Sequence, residues 1–245
     1  MFFGSIVPAV EKTGEFSRQI QKMFGAVAPR YDLLNCLLSA GRDRYWRKVA
    51  VNRLALRPGD RVLDLAAGTV DVALEIAKRP ISQIQVAACD FSLPMLRLGQ
   101  KKIKLKQSPI FPICGDGLRL PFRDQFFSAV ICAFGIRNFS DVPAGLNEVA
   151  RVLDAGGRVV ILEFSLPRFA ILKFFYKLYF NTILPLLGRM VSGHQTAYTY
   201  LPQSVAGFFA ESEFAALMQE AGFGNIKIKN LTLGVVTIYY GFKQD

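Results

Sequence analysis

Three aspartates in this chain each lie near the end of a predicted strand. They are Asp64 in VLDLAAGTVD, Asp90 in VAACDFS and Asp116 in ICGDGLRLPF. A single carboxylate at such a position is more typical of a helix cap or a turn. Three of them at successive strand ends favour a site, because ligands of an open parallel sheet bind beyond the carboxyl ends of its strands. Carboxylate oxygens there would accept hydrogen bonds from hydroxyl or amino groups of the ligand.

Only one glycine, Gly68, follows the first of these strands. A dinucleotide site normally uses three glycines in the pattern G-x-G-x-x-G, because the pyrophosphate must approach backbone N–H groups closely. The run AAGTV cannot supply that loop, so NAD is disfavoured. A ligand with an adenosine and no pyrophosphate fits better, with Asp90 accepting from the ribose hydroxyls and Asp116 from the adenine amino group. Gly117 would let the backbone come close to the ligand.

Strand-like and helix-like runs alternate after a turn at residues 57–60, which is typical of crossover connections in a parallel sheet. The predicted strands are 61–66, 84–90, 110–114, 127–133, 158–163, 225–230 and 234–242, and the predicted helices are 70–79, 93–105, 143–153 and 211–221. The last two strands are joined too tightly for a crossover, so we expect the last strand to be antiparallel to its neighbour.

Two helical segments lie outside this alternation. Residues 13–53 form a predicted N-terminal arm with breaks at Pro29 and Gly41. Residues 166–205 form an aromatic, Pro-punctuated insertion before the last two strands. Its apolar stretch carries too many cations to contain the uncharged run of about 20 residues that spans a membrane. We expect the 245 residues to form a single domain.

The composition limits the classes of partner. A formal net charge of +11 indicates attraction to polyanions, either nucleic acid or an anionic membrane face. Hydrophobic residues make up 51% of the chain, so apolar surface is expected to remain for an apolar ligand. The four cysteines are far apart with no C-x-x-C pair, which favours buried, reduced thiols in the cytosol over disulfides or a zinc site. The N-terminus lacks the pattern of a signal peptide.

The chain carries four motifs in the order LDLAAGT, ACDFS, GDGLRLPF and LDAGGRVVILEF. In these it resembles the class I S-adenosylmethionine-dependent methyltransferases. The stretches MFGAVAPRYDLLNCLLSAGRDRYWRK and AFGIRNFSDVPAGLNEVARVLDAGGRVVILEFS narrow the resemblance to the demethylmenaquinone and ubiquinone C-methyltransferases of the UbiE/MenG type, over about residues 20–243. This resemblance implies a Rossmann-like α/β fold with a mostly parallel seven-stranded sheet. It also implies S-adenosyl-L-methionine as cofactor and a polyprenylated quinol as substrate. The first candidate substrate is demethylmenaquinol, and the alternative is the benzoquinol of the ubiquinone pathway.

The resemblance places cofactor contacts at Thr69, Asp90, Asp116 and Gly117, beside the strand-end and turn residues Asp64, Gly68 and Asp71. Two positions depart from the family: Val70 stands where it usually has Gly, and Ala133 where some members have Ser. A β-branched side chain resists positive φ. We therefore expect Val70 to begin a helix at negative φ, with Thr69 as N-cap and Asp71 in the first turn.

The catalytic candidates follow from the chemistry that the resemblance implies. Methylation of a quinol carbon requires electron density from the ring, which loss of a phenolic proton supplies. A phenol has an ordinary pKa of about 10, so a cation near the developing phenolate would help. We assign that role to Arg137 in FGIRNF, and the orientation of the ring to Asn138. The alternative is that Arg137 pairs with a structural carboxylate such as Asp141.

Three further residues are also candidates. Tyr31 and Asp32 in APRYD would close the N-terminal arm over the site, although packing alone explains a tyrosine almost as well. His194 is the only histidine and a candidate base, but related proteins often carry an acid or an amide there. No metal is expected.

Two other functional classes fit part of the sequence. A nucleic-acid amino-methyltransferase would share the cofactor half, but such enzymes commonly have N/D-P-P-Y/F after the fourth strand, where this chain reads AFGIRN. A non-catalytic membrane-associated protein would have lost cofactor affinity through Val70. We expect instead a cytoplasmic enzyme that binds no nucleic acid and touches anionic lipid at the inner face of the membrane through residues 166–190. A homodimer is left open.

Overall fold

The computed structural model describes residues 14–167 and 195–244. At their centre is a sheet with the strands β1 (Arg61–Leu65), β2 (Gln85–Asp90), β3 (Ile110–Cys114), β4 (Phe127–Ala133), β5 (Leu153–Phe164), β6 (Phe223–Leu231) and β7 (Val236–Lys243). Their order is β3-β2-β1-β4-β5-β7-β6. Strands β1 to β5 pair in parallel, whereas β7 is antiparallel to β5 and β6. The predicted parallel sheet with an antiparallel last strand is confirmed.

Helices cover both faces of this sheet. They are α1 (Gly14–Val27), α2 (Tyr31–Leu38), α3 (Arg42–Arg53), α4 (Asp71–Ala77), α5 (Leu93–Lys106), α6 (Val142–Val152), α7 (Gln195–Ala206) and α8 (Glu211–Glu220). Side chains alternate between the faces along each strand. Val62 packs in the cluster with Trp46 of α3, and Leu63 in the cluster with Leu146 of α6. Because both faces are buried, the strand ends are the place left for a ligand.

Strand β5 begins earlier than the sequence pattern predicts. Leu153 already pairs with Phe127, and the next pair joins Ala129 to Arg158. The register shifts between these two pairs, at the run DAGG, where Gly156 has a φ of 67°. A glycine-rich irregularity inside a strand looks like a loop in the sequence, and this is why the prediction started the strand at residue 158.

The N-terminal arm breaks where the sequence predicts. Pro29 lies in the 3-10 turn Ala28–Arg30 between α1 and α2, and Gly41 precedes α3 with a φ of 73°. In the insertion, α7 is helical as predicted. His194 and the rest of residues 168–194 lie outside the described residues, so the candidate base and most of the predicted membrane segment are not tested. Among the helices that the structure describes, none is long and apolar enough to cross a membrane.

All four cysteines are free thiols. Cys89 and Cys132 are buried as expected, and Cys36 is partly buried. Cys114 is exposed, contrary to the prediction, because β3 is an edge strand and its side chains have no further strand beside them. Exposure of this one thiol does not change the preference for reduced cysteines.

Candidate functional site

A cleft of about 760 Å³, including space open to solvent, lies at the carboxyl ends of β1, β2 and β4. Its larger apolar walls are Phe24, Phe91, Met95, Leu118, Phe134 and Phe139. The predicted site residues that line it are Tyr31, Gly68, Asp90, Asp116, Gly117 and Asn138. Five others, namely Asp32, Asp64, Thr69, Asp71 and Arg137, lie behind or beside these walls. The cleft is therefore apolar, with a few polar groups at fixed places, as small-molecule sites usually are.

Asp90 is the carboxylate held most firmly in the cleft. Its Oδ2 accepts from the backbone N–H of Gly68 at 2.8 Å, and its Oδ1 accepts from that of Ser92 at 2.7 Å. Only 6% of its surface is exposed, and burial raises the pKa of the carboxyl. Each carboxylate oxygen has two lone pairs, so both can still accept from a ligand hydroxyl.

The turn after β1 differs from the prediction. Val70 has a φ of 64° in the left-handed region and is itself the N-cap of α4. The expectation of a negative φ with Thr69 as N-cap is therefore wrong. Val70 is fully buried, and a Cβ added to Gly99 of α5 would come within 2.7 Å of its Cγ1. Buried packing against a glycine thus holds a side chain that would be expected to resist this conformation.

Asp64 lies beneath the turn rather than in the cleft. It is 1% exposed, and its Oδ2 accepts from the backbone N–H of Ala73 at 2.9 Å. Burial is the largest cause that raises its pKa to about 8. The carboxyl is therefore mostly protonated at neutral pH and ties the start of α4 to the end of β1.

Asp116 and Gly117 follow β3 at the open side of the cleft. Asp116 is exposed, and its Oδ1 accepts from the backbone N–H of Leu118 at 2.9 Å. Gly117 is buried against the ring of Phe139, with which an added Cβ would collide. The missing side chain at Gly117 therefore leaves room for the ring of Phe139, which forms an aromatic wall of the cleft. The close approach of a ligand at Gly117, expected from the sequence, stays a prediction.

Thr69, Asp71 and Asp32 belong to a polar cluster that joins the N-terminal arm to the turn. Lys102 Nζ lies 2.6 Å from a carboxylate oxygen of each of Asp32 and Asp71, and 3.0 Å from Thr69 Oγ1. Thr69 Oγ1 donates to Asp32 Oδ1 at 2.5 Å. Arg47 adds a contact of 3.0 Å to Asp71. This cluster fixes α2 against the first turn of α4, which keeps Tyr31 at the cleft.

Arg137 is paired with a carboxylate that the sequence analysis did not consider. Its Nη1 lies 2.6 Å from Glu163 Oε1, and both residues are buried. Asp141, the partner considered from the sequence, instead accepts from the backbone N–H of Ala144 and caps α6. Glu163 is fully buried, which raises its pKa, while the charge of Arg137 acts to lower it. The expected lone cation beside the substrate is therefore replaced by a buried ion pair.

The wall next to this pair presents Asn138 and Tyr31 to the cleft. Tyr200 of α7 donates to Asn138 Oδ1 at 2.8 Å. Asn138 Nδ2 lies 3.5 Å from the carbonyl oxygen of Phe134. Burial is the largest cause that raises the pKa of Tyr31. At neutral pH the Tyr31 hydroxyl therefore keeps its proton.

Sequence reasoning missed Glu163, Tyr200 and the apolar walls Phe91, Met95 and Phe139. Glu163 did carry a signal, since it is a carboxylate at the end of an apolar strand, like the three predicted aspartates. Phe and Met residues carry no comparable signal, because core packing explains them equally well. The part of the chain that the structure describes contains no group of three or more metal-ligating side chains.

The chain is similar along nearly its whole length to proteins of one family. Residues 12–243 match the ubiE/COQ5 methyltransferase family. The ubiquinone/menaquinone biosynthesis C-methyltransferase UbiE of Geotalea daltonii is 45% identical, over 95% of this chain and 99% of that protein. The demethylmenaquinone methyltransferase of Deinococcus radiodurans is 43% identical, over 97% of this chain and 98% of that protein. The chain belongs to the ubiE/COQ5 methyltransferase family.

Solved structures of low sequence identity share the fold of this ubiE/COQ5 family member. The [4+2]-cyclase SpnF aligns with a TM-score of 0.68 and 16% identity, over 93% of this chain and 96% of that one. A SAM-dependent methyltransferase from Aquifex aeolicus aligns with a TM-score of 0.62 and 15% identity, over 86% of this chain and 97% of that one. The Rossmann-like methyltransferase fold predicted from the motifs is confirmed, and so is the family.

Proposed function

We propose that this protein transfers a methyl group from S-adenosylmethionine to a ring carbon of a polyprenylated quinol. Demethylmenaquinol is the first candidate substrate, and a benzoquinol of the ubiquinone pathway is the alternative. The observation that carries the proposal is a buried carboxylate, Asp90, anchored by two backbone N–H groups inside an apolar cleft of a ubiE/COQ5 family chain. We treat the whole chain as one methyltransferase domain.

The residues of the cleft fit S-adenosylmethionine. Asp90 would accept hydrogen bonds from the ribose hydroxyls, and Asp116 from the adenine amino group. Gly68 has a φ of 54° and no side chain, so backbone can approach the ligand there. Phe91 and Met95 offer apolar surface for the adenine. When bound, this cofactor supplies an electrophilic methyl group on a sulfonium.

The remaining predicted cofactor residues support the turn in this proposal. Asp64 holds the start of α4, while Thr69 and Asp71 bind Lys102. They do not line the cleft, so we assign direct contact with the cofactor to the four predicted residues that do, Gly68, Asp90, Asp116 and Gly117.

For the reaction, the protein must orient the quinol ring and favour its deprotonated oxygen. We assign these tasks to the wall formed by Asn138 and Tyr31, which line the cleft. Arg137 Nη1 binds the carbonyl of Phe134, and its Nε lies 3.3 Å from Ser204 Oγ. It thereby holds the 3-10 turn Ile136–Asn138 in place. In this proposal Arg137 acts through that wall, because Glu163 balances most of its charge.

We also propose that the protein contacts an anionic membrane and works in the cytoplasm. Helix α2 carries Tyr31 at the cleft and exposes Leu33 and Leu37 by 55% and 51%. These leucines are four residues apart and share one helix face. A polyprenylated quinol resides in lipid, and a chain with a net charge of +11 is attracted to anionic headgroups. We assign the positive charge to lipid rather than to nucleic acid, and leave a homodimer open.

Quinone profiling tests the proposed function. In a strain that lacks this protein, the demethylated quinone should accumulate, and the methylated quinone should return on complementation. The wild-type gene is compared with two variants. Asp90→Ala should not complement the strain. Asp124→Ala, which removes an exposed carboxylate paired with Arg151, should complement it. The accumulating quinone reports whether a naphthoquinol or a benzoquinol is the substrate. A profile that does not change would contradict the proposal.

A further inference from the structure

We propose that Tyr200 is a positioning residue for the reaction. It fixes the side-chain amide of Asn138 so that the NH₂ group, and not the carbonyl oxygen, forms the hydrogen bond to the quinol. This inference rests on the proposed function. Tyr200 comes from α7, whereas Asn138 follows β4. Helix α7 would therefore support a part of the substrate wall.

The first step is the hydrogen bond between the two side chains. Tyr200 Oη lies 2.8 Å from Asn138 Oδ1, a distance of a well-formed bond. A tyrosine hydroxyl can donate or accept, so this contact alone would allow either orientation of the amide. A second neighbour of the amide must decide between them.

The backbone carbonyl of Phe134 is that second neighbour. A carbonyl oxygen can only accept, and Asn138 Nδ2 lies 3.5 Å from it. If the amide were turned over, Oδ1 would face the Phe134 oxygen and two acceptors would oppose each other. Arg137 Nη1 also donates to this oxygen, which keeps the carbonyl directed at this point. Tyr200 must then be the donor, and Asn138 Oδ1 is its acceptor.

Helix α7 is held at this place by a second polar contact and by an aromatic one. Ser204, one turn after Tyr200, accepts from Arg137 Nε at 3.3 Å. The ring of Tyr200 lies 6.4 Å from that of Phe16 in α1. Burial raises the pKa of Tyr200 to about 12, so the hydroxyl keeps its proton throughout the neutral range. The donor that orients Asn138 is therefore always available.

The chemical consequence concerns the quinol oxygen. Tyr200 holds Oδ1 on its own side of the amide and one N–H is directed at the Phe134 carbonyl, so in this proposal the second N–H is the group that Asn138 offers to the cleft. A donor stabilises an oxygen that becomes negative as its proton leaves, and an acceptor would oppose that charge. The amide orientation thus favours the deprotonated quinol without a charged residue in the wall.

Steady-state kinetics of the full-length protein with a quinol and S-adenosylmethionine test this role. Tyr200→Phe removes the hydroxyl and keeps the ring; we expect kcat to fall about tenfold, the worth of one neutral hydrogen bond. The KM for S-adenosylmethionine should stay within about twofold, because Asp90 is untouched. Tyr240→Phe is the matched control: this tyrosine is also partly buried, and it stacks under Arg53 away from the cleft.

Two variants of Asn138 separate a positioning role from a structural one. Asn138→Asp replaces the NH₂ donor by an acceptor and should lower kcat by about a hundredfold or more. In an Asn138→Ala background, adding Tyr200→Phe should cost nothing further, because Tyr200 then has no amide to orient. Circular dichroism and calorimetry with S-adenosylmethionine show whether each variant is folded.

The outcomes distinguish the inference from the proposed function. Full activity of Tyr200→Phe, full activity of Asn138→Asp, or a further loss when Tyr200→Phe is added to Asn138→Ala would overturn the positioning role while quinol methylation by the wild type stands. A wild-type protein that binds S-adenosylmethionine and methylates no quinol would overturn both.

Discussion

Asp90 is the one strand-end aspartate of the three that is buried and also lines the cleft. Both carboxylate oxygens of Asp90 accept hydrogen bonds from backbone N–H groups, and the residue still lines the cleft. Asp64 pairs in register with Ala88, two residues before Asp90, and lies beneath the turn, whereas Asp116 is exposed. All three positions could be predicted from the alternation of strands and helices. Their burial could not, because it depends on which strands become neighbours in the sheet.

Substitution of Asp90 tests the cofactor assignment. Asp90→Ala should weaken binding of S-adenosylmethionine by about 2 kcal/mol or more, roughly thirtyfold, because charge-assisted hydrogen bonds to the ribose are lost. Isothermal titration calorimetry measures the change, and Asp124→Ala is the control. Asp90→Asn keeps one acceptor oxygen and should lose less. Unchanged affinity in the alanine variant would remove Asp90 from the site.

Asp64 gives the stability of the protein a pH dependence of known sign. Its pKa is about 8 in the folded chain and about 4 in an unfolded one. Between these values the folded state binds more protons than the unfolded state, so the free energy of unfolding falls as pH rises. The full contribution is present below about pH 4 and is lost as pH rises through about 8.

Urea unfolding at pH 5 and pH 8 measures this effect against an Asp64→Asn variant. The asparagine can accept from the Ala73 N–H and does not titrate, so the wild type should lose more stability than the variant over this interval. The comparison removes contributions that other carboxylates make in both proteins. Equal losses would mean that Asp64 is ionised in the folded state.

At the scale of elements, the turn between β1 and α4 shows where sequence reasoning fails. The sequence predicts a strand, a glycine turn and a helix, and all three are present. It does not reveal that Val70 adopts a positive φ, because the neighbour that accommodates its side chain, Gly99, lies in α5. The Arg137–Glu163 pair escaped prediction for the same reason, since its partners meet only once β4 and β5 pair.

A double-mutant cycle tests the packing of α4 against α5. Gly99→Ala places a methyl group against Val70 and should cost about 1–3 kcal/mol of unfolding free energy. In a Val70→Gly background the same substitution should cost much less, because the crowded side chain is gone. Calorimetry should show that Val70→Gly keeps its affinity for S-adenosylmethionine within a few-fold. Equal costs of Gly99→Ala in both backgrounds would contradict the packing explanation.

At the scale of the whole molecule, the carboxyl edge of the sheet combines the cleft with exposed apolar surface. Net charge and apolar content could be read from the sequence: the charge indicates a polyanion, either nucleic acid or an anionic membrane face, and the apolar content indicates an apolar ligand. The sequence indicates residues 166–190 for contact with the membrane, and most of them lie outside the described residues. The described part adds the exposed Leu33 and Leu37 of α2, the helix that begins at the cleft residue Tyr31. Their exposure depends on how the arm packs and so was not predictable.

Vesicle binding tests the orientation on a membrane. The protein should bind anionic vesicles and release them as salt rises, and Leu33→Ser with Leu37→Ser should weaken binding about tenfold or more. Leu105→Ser is the control: this leucine is 84% exposed and lies about 18 Å along α5 from the cleft end of that helix. Failure to bind at low salt, or equal losses in both variants, would contradict membrane contact through α2.

The most direct measurement of the central claim is transfer of an isotopic label by the purified protein. S-adenosylmethionine with a deuterated methyl group is incubated with reduced, prenylated demethylmenaquinone or with the corresponding benzoquinol, and the quinones are analysed by mass spectrometry. We predict that the intact trideuterated methyl group appears on the quinone ring with the wild type and is nearly absent with Asp90→Ala. A wild-type protein that binds the cofactor in calorimetry but labels neither quinol would contradict quinol methylation as its function.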